Sequence, residues 1–346
     1  MFVCDYNSIL IKLINKNDLS KEEAYFCMKE ILSKSLSRDK IITLLTALKA
    51  KGETTEEIMG FANYIMDEVV PFEVKQDVID TCGTGGDHSG SFNASTMAAL
   101  IASSADVFVA KSGNRASTSK CGSADLLEAI GISIDLTPSK SQELLEKTNF
   151  AFLFTQLYHP RLRRIANIRS SIGFKTVFNL LGPLCSPSRP TSQLVGVSKK
   201  SLLPLYADLL MKVGRRRALI VHGMDGLDEM SISSPTVIYE VHNSEIKNFT
   251  VTPEELGLRR YSLLDIKGDG VKRNIEIFND IINNKPSPIK DFCVINAAAA
   301  LYIGDRVESL KEGVNLAQKN LHNGKVKEKF EKIKEQNKLL AGGRLL

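Results

Sequence analysis

Two segments have the residue types and spacing of an anion cradle. The first is Asp80-Thr81-Cys82-Gly83-Thr84-Gly85-Gly86-Asp87, with three glycines in four positions directly after the β-type run Val78-Ile79-Asp80. Glycine lets a backbone approach a ligand closely and aim several N–H groups into one concavity. Asn93-Ala94-Ser95-Thr96 then opens a predicted helix, whose first turn adds N–H donors and partial positive charge. The chemistry implied is binding of phosphate or pyrophosphate. No Gly-Lys-Ser/Thr follows, so this is not a P-loop. His88 stands where the third glycine of the dinucleotide fingerprint belongs, so it is not that either. A tight strand-to-helix turn is the plainer reading of the same glycines.

The second segment, Lys111 to Ser123, holds three cations and five hydroxyls in thirteen residues. It has too few apolar groups to pack but many donors for phosphate oxygens. Taken alone it also reads as a solvated surface loop. In an open parallel sheet the loops at the carboxyl ends of the strands meet in one crevice. Two donor-rich loops there predict a ligand with more than one phosphate.

A third signal is Asp228-Glu229, after the apolar run Ala218–Val221. On a strand, adjacent carboxylates point to opposite faces; on a loop both can face one cation. Magnesium takes one or two carboxylates and completes its shell with substrate phosphates and water. An ordinary acidic turn is the alternative. The basic stretch His159-Pro160-Arg161-Leu162-Arg163-Arg164, with Arg169 and Lys175, offers a guanidinium fork for a carboxylate. Spacing does not choose among these arginines. Arg215-Arg216-Arg217 reads as surface.

The elements that must position these groups follow from periodicity. Ser20 is a predicted N-cap, followed by Ala24, Met28, Ile31 and Leu32 at helical spacing. Ile41–Lys51 and Glu56–Val69 complete three helices within residues 1–70, a small all-helical subdomain. From residue 71 to 346 the texture is that of a larger α/β domain. Val78–Asp80, Asp106–Ala110, Leu194–Val197, Ala218–Val221 and Cys293–Ile295 read as strands. Ser95–Ser104, Ala124–Ile130, Leu202–Val213, Val307–Asn320 and Lys325–Leu340 read as helices. This rhythm predicts a mainly parallel central sheet flanked by helices. Residues 155–190 interrupt it and are expected to return in part to the helical subdomain.

Composition narrows the class. Of 346 residues, 43% are hydrophobic and 25% charged, the mix of a folded globular chain. The longest apolar runs, Met97–Ala102 and Ala297–Ile303, are far short of the ~20 residues that span a bilayer, so no membrane role is expected. A net charge of +5 without tryptophan argues against a nucleic-acid platform and suits a small anionic ligand. Six scattered cysteines make neither a zinc spacing nor a disulfide framework, and Met-Phe-Val-Cys-Asp lacks a signal-peptide pattern. A cytoplasmic protein is expected.

Taken together, these motifs resemble the nucleoside phosphorylase/phosphoribosyltransferase family and, within it, the anthranilate phosphoribosyltransferases. Gly83–Asp87 with Phe92–Thr96 is similar to the family's first diphosphate loop, and Lys111–Arg115 with Gly122–Asp125 to its second. Thr176–Leu184 is similar to a further signature, and Asp228-Glu229 to its acidic metal pair. The resemblance implies transfer of the 5-phosphoribosyl group from phosphoribosyl pyrophosphate (PRPP) to the amine of anthranilate, in tryptophan biosynthesis. By position, Gly83, Gly86, Asp87, Ser91, Asn93, Ser95, Thr96, Lys111, Asn114, Ser119 and Ser123 would surround PRPP. Ser95, Asp228 and Glu229 would serve Mg2+. Gly83, Asn114 and Arg169 would contact anthranilate. No general base is implied; Lys111, Asn114 and Arg169 would position the reactants. The resemblance also implies a homodimer through the helical subdomain.

The chain departs from the family's usual pattern at several positions. Ser112 replaces a histidine, Ala94 an isoleucine and Ser91 a threonine. Gln156, Tyr158 and Asn167 replace proline, histidine and proline on the acceptor side. Three further readings share parts of the pattern. They are transfer to another aromatic amine, pyrimidine nucleoside phosphorolysis, and a non-catalytic paralogue that binds a phospho-ligand or nucleic acid.

Overall fold

Capping side chains set the helix starts. The computed structural model describes residues 5–33, 35–116 and 120–342. It opens with α1 (Tyr6–Ile14), α2 (Lys21–Leu32), α3 (Arg38–Lys51) and α4 (Thr55–Asp67), begun by Asp5, Ser20, Ser37 and Thr54. Each capping oxygen accepts an N–H of the first turn that has no partner within its helix. Sequence spacing predicts three helices here, and the structure has four. The extra one, α1, buries Ile9 and Leu13 but exposes Ile11 and Ile14, so it shows no single apolar stripe.

Two compact units result. One comprises the residues up to Pro71 with Gln156–Pro187; the other comprises Phe72–Thr155 and the residues from Ser188 on. The larger unit runs β1 (Ile79–Gly83), α5 (Ala94–Ser103), β2 (Val109–Gly113), α6 (Ser123–Ala129), α7 (Pro138–Thr148) and β3 (Phe150–Phe154). After the short α8 (Thr155–Tyr158), the chain adds α9 (Ala166–Ile172) and α10 (Phe178–Leu181) to the helical unit. It then resumes with β4 (Ser192–Gly196), α11 (Leu203–Lys212), β5 (Arg217–Gly223), β6 (Thr236–His242) and β7 (Glu245–Val251). It closes with α12 (Val271–Ile282), α13 (Pro288–Ile303), α14 (Leu310–His322) and α15 (Lys325–Leu340).

The sheet order is β3-β2-β1-β4-β5-β6-β7. Neighbours from β3 to β5 pair in parallel; β6 and β7 continue the sheet antiparallel. The chain leaves β1 toward β2 on one side and returns to β4 on the other. The β1–β4 gap is therefore a topological switch point, where open α/β sheets bind ligands at the strands' carboxyl ends. α5 and α13, both almost wholly buried, pack against the central strands there.

Three sequence readings are corrected. Cys293–Ile295 is not a strand but the middle of α13, because the apolar run continues through Ala297–Ala300 and is buried on every side. Periodicity cannot separate a buried helix from a buried strand in so short a run. The strand expected at Asp106–Ala110 begins at Val109, after a left-handed Asp106 (φ 61°). Lys111 and Ser112 are thus strand residues, with directions fixed by the sheet. Arg215-Arg216-Arg217 is not simply surface. Arg215 is buried and donates to Gln193 at 3.0 Å. Arg217 pairs with Glu240 and Asp305 at 3.2 and 2.9 Å and lies 3.7 Å from the Tyr302 ring centroid.

Candidate active site

Gly83 ends β1 and Gly196 ends β4, and the two are register partners at the switch point. Asp228 lies over both. A Cβ on Gly83 would stand 2.7 Å from Asp228 Oδ2, and one on Gly196 would fall on the Asp228 carbonyl oxygen. The absence of side chains at these strand ends therefore admits the acidic loop. Gly85 and Gly86 then take left-handed backbone (φ 68° and 76°), and Gly85 N–H donates to Asp228 Oδ2 at 2.7 Å. His88, at the site of the missing third glycine, is also left-handed (φ 56°). Two segments 143 residues apart in sequence thus meet at one strand end.

The acidic loop is pinned from below. Leu227 and Met230, flanking Asp228-Glu229, are fully buried. Asn296 of α13, also fully buried, accepts the Met230 N–H at 2.9 Å and donates to its carbonyl at 3.0 Å. Enclosure away from water, then the neighbouring Asp87, raises the Asp228 carboxyl well above the ordinary carboxylate range. Enclosure, then Asp228 itself, does the same to Glu229. Asp87 Oδ2 is buried with no donor. Three acidic groups crowded in this way leave a negative charge excess that a divalent cation would offset. No cluster of three or more His, Cys, Asp or Glu among the described residues forms a ready metal cage.

Lys111 is 2% exposed. Its ammonium donates to the Thr81 carbonyl and, at 3.2 Å, to Ser95 Oγ, so it ties the end of β1 to the start of α5. Burial lowers its pKa and Asp80 opposes that shift. The cations of the second segment are therefore not a row of unengaged donors. Lys111 is internal. Arg115 forks onto Glu128 of α6 at 2.7 and 3.0 Å, and Lys120 pairs with Asp269 at 2.7 Å. The turn itself is held by Asp125, which accepts the Ala116 and Gly122 N–H groups at 2.9 Å each. Ser123 Oγ donates to the Asn114 carbonyl at 3.3 Å.

Of the predicted residues, Gly83 and Asp87 lie beside Asp228, and Lys111 reaches Ser95; Gly86 follows Gly85 in the glycine turn, and Asn93 and Thr96 flank Ser95 at the start of α5. Ser91 Oγ accepts from Ser89 at 3.1 Å, and Thr96 Oγ1 is buried without a partner. Asn93 Nδ2 donates to the Cys121 carbonyl at 3.1 Å, which links the first segment to the second, where Asn114 and Ser123 stand. Ser119 lies outside the described residues. Sequence reading missed Gly196 and Asn296. A glycine closing a predicted strand and a lone amide inside an apolar run were the available signals.

Residues 75–327 match the glycosyl transferase family a/b domain, and residues 7–68 match that family's helical bundle domain. The anthranilate phosphoribosyltransferase of Pelodictyon phaeoclathratiforme is 42% identical over 334 residues, covering 95% of each chain. The chain belongs to the anthranilate phosphoribosyltransferase family. The anthranilate phosphoribosyltransferase structure from Thermus thermophilus superposes with a TM-score of 0.90 at 36% identity, over 95% of this chain and 99% of its own. The Saccharomyces cerevisiae anthranilate phosphoribosyltransferase, solved in complex with PRPP and Mg, gives 0.88 at 28% identity over 96% and 97%.

The remaining anthranilate phosphoribosyltransferase-like positions lie in the helical unit. Arg169, half-buried on α9, stacks its guanidinium 5.4 Å from the Phe178 ring centroid. Of the departures from the family pattern, Gln156 and Asn167 are exposed. Tyr158 is fully buried and its carbonyl accepts the Val70 N–H at 2.9 Å, so it serves the core of that unit.

His159 is buried against the Cys185 carbonyl, 2.8 Å from Nε2, and burial lowers its pKa. A base whose folded-state pKa is depressed leaves stability intact above its unfolded value, about 6.5, and withdraws it as pH falls below that. Thermal melts between pH 8 and 5 are expected to lose stability on the acid side, and His159→Gln to flatten that loss. Identical slopes for the two proteins would contradict this.

Proposed function

We propose that this chain transfers the 5-phosphoribosyl group of PRPP to the amine of anthranilate and releases pyrophosphate, a step of tryptophan biosynthesis. The observation that carries the reading is the Asp228 carboxylate bound to Gly85 N–H over the paired ends of β1 and β4. An acidic pair beside a glycine-rich turn supports a metal–pyrophosphate ligand.

The glycine turn, with Ser91, Asn93, Ser95 and Thr96, holds one part of the donor. Asn114, Ser119 and Ser123 hold the other. Ser95, Asp228 and Glu229 are the proposed holders of Mg2+, and the crowded carboxyls with the orphaned Asp87 oxygen support this. When bound, Mg2+ neutralises charge on the departing pyrophosphate. The partial positive charge at the α5 terminus favours the same growing charge. As the ribose C1–O bond breaks, positive charge builds on the sugar and the aryl nitrogen lone pair forms the new C1–N bond. That nitrogen is neutral near pH 7 and releases its proton to solvent after attack. Positioning therefore matters more than a general base. The carboxylate of anthranilate calls for a planar fork donor, and Arg169 is the proposed one.

The same reading includes a homodimer through the helical unit, supported by the exposed Ile11 and Ile14 of α1. It includes a cytoplasmic setting, supported by five described cysteines that form no disulfide. Among the described residues no helix is long and apolar enough to cross a membrane.

Purified protein is expected to quench anthranilate fluorescence only when PRPP and Mg2+ are both present. No quenching, together with phosphate-dependent cleavage of a pyrimidine nucleoside, would select phosphorolysis instead.

A further inference from the structure

We propose that Asn274, at the start of α12, is a positioning residue that sets the two phosphate-binding segments in register. Asn274 is 2% exposed and belongs to neither segment. Its Nδ2 donates to Asn93 Oδ1 at 3.1 Å, and its Oδ1 accepts the Asp269 N–H at 3.0 Å. Asn93 Nδ2 in turn donates to the Cys121 carbonyl at 3.1 Å. A backbone carbonyl closes this chain at one end and a backbone N–H at the other. The direction of both side-chain amides is therefore fixed by the chemistry of the ends, not by assignment.

The chain joins three pieces of backbone. Asn93 starts α5 behind the glycine turn. Cys121 belongs to the hydroxyl-rich second segment. Asp269 belongs to the stretch 266–270, which also fastens the first segment from outside. Ile266 carbonyl accepts the Phe92 N–H at 3.0 Å, and Gly90 carbonyl accepts the Gly268 N–H at 2.9 Å. The second segment has too few apolar side chains to be placed by packing. Lys111 and the Ser112 N–H, which donates to Asp80 at 3.1 Å, fasten its near end to the first segment; the buried amide relay fastens its far end, at Cys121. Asn93 commits a bond at each end of its amide to this relay, so its expected role at the donor depends on Asn274. Misplacing a binding group by about 1 Å can cost about a hundredfold in rate.

The inference rests on the reading of PRPP as the donor, and the experiment separates the two. PRPP and anthranilate KM are measured for wild type, Asn274→Asp, Asn93→Ala and the double variant, with melting temperatures alongside. Asn274→Asp keeps the acceptor for Asp269 N–H and removes the donor to Asn93. It is expected to raise the PRPP KM about tenfold, the scale of one buried hydrogen bond, with anthranilate KM unchanged. The double variant is expected to be no worse than the worse single, because both changes cut one relay. An unchanged PRPP KM, equal rises in both KM values, or additive effects would each overturn the role. Asn274→Ser carries the same expectations if Asn274→Asp does not fold. Wild type that fails to bind PRPP would sink the donor reading. Wild type that binds it no better than Asn274→Asp would sink Asn274 alone.

Discussion

Exchanging Asp228 for Asn and Glu229 for Gln is expected to lower kcat/KM by about a thousandfold or more, while raising the melting temperature by about 2 °C. The two effects have one cause. Both carboxyls are held above their ordinary range by enclosure first, then by Asp87 at Asp228 and by Asp228 at Glu229. In the metal-free protein at pH 8 their ionised forms therefore oppose folding, and neutral isosteres relieve that opposition. The amides cannot neutralise a divalent cation, so the function goes as the stability rises. Asn can still accept the Gly85 N–H, which preserves the turn. Steady-state assays and calorimetric melts check the pair of signs. Activity within a few-fold of wild type, or a fall in melting temperature, would contradict the assignment of these carboxyls.

Gly196→Ala is expected to cost about a hundredfold in kcat/KM and about 1–3 kcal/mol of stability, through a single methyl group. Gly196 is not left-handed, so alanine meets no backbone strain there. The conflict is one of space, since the new Cβ would coincide with the Asp228 carbonyl. The obstacle is main chain anchored by Met230 and Asn296, which cannot swing aside as a flexible side chain would. The acidic loop must lift or the β1–β4 pairing must loosen, and both move Asp228 away from Gly85. Kinetics and denaturant unfolding of the variant test this. Near-wild-type activity would show that the acidic loop need not sit over these strand ends.

What was legible in the sequence was local. Gly83–Gly86 and Asp228-Glu229 each declare their chemistry within a few adjacent residues, and Ser20 with Glu23 announces the start of α2. The strands either side of the switch point end in glycine, which the chain shows at Gly83 and, less conspicuously, at Gly196. The rest depends on partners far apart in sequence. Asn274 acquires meaning only beside Asn93, and Asn296 only beside Met230. Lys111 reads as a loop cation until β2 turns it inward toward Thr81 and Ser95. Arg217 reads as solvated until Glu240 and Asp305 close on it. β7 carries a weak pattern because neither of its faces is buried: Glu245, Ile246, Lys247 and Asn248 are all exposed.

The central claim is that a backbone cradle and an acidic pair hold one diphosphate ligand through a shared divalent ion. Calorimetric titration of PRPP into wild type and into the Asp228→Asn/Glu229→Gln protein, with and without Mg2+, tests it most directly. Mg2+ is expected to strengthen binding by about tenfold or more in wild type and to do nothing in the variant. Equal strengthening in both proteins, or binding in wild type indifferent to Mg2+, would contradict it.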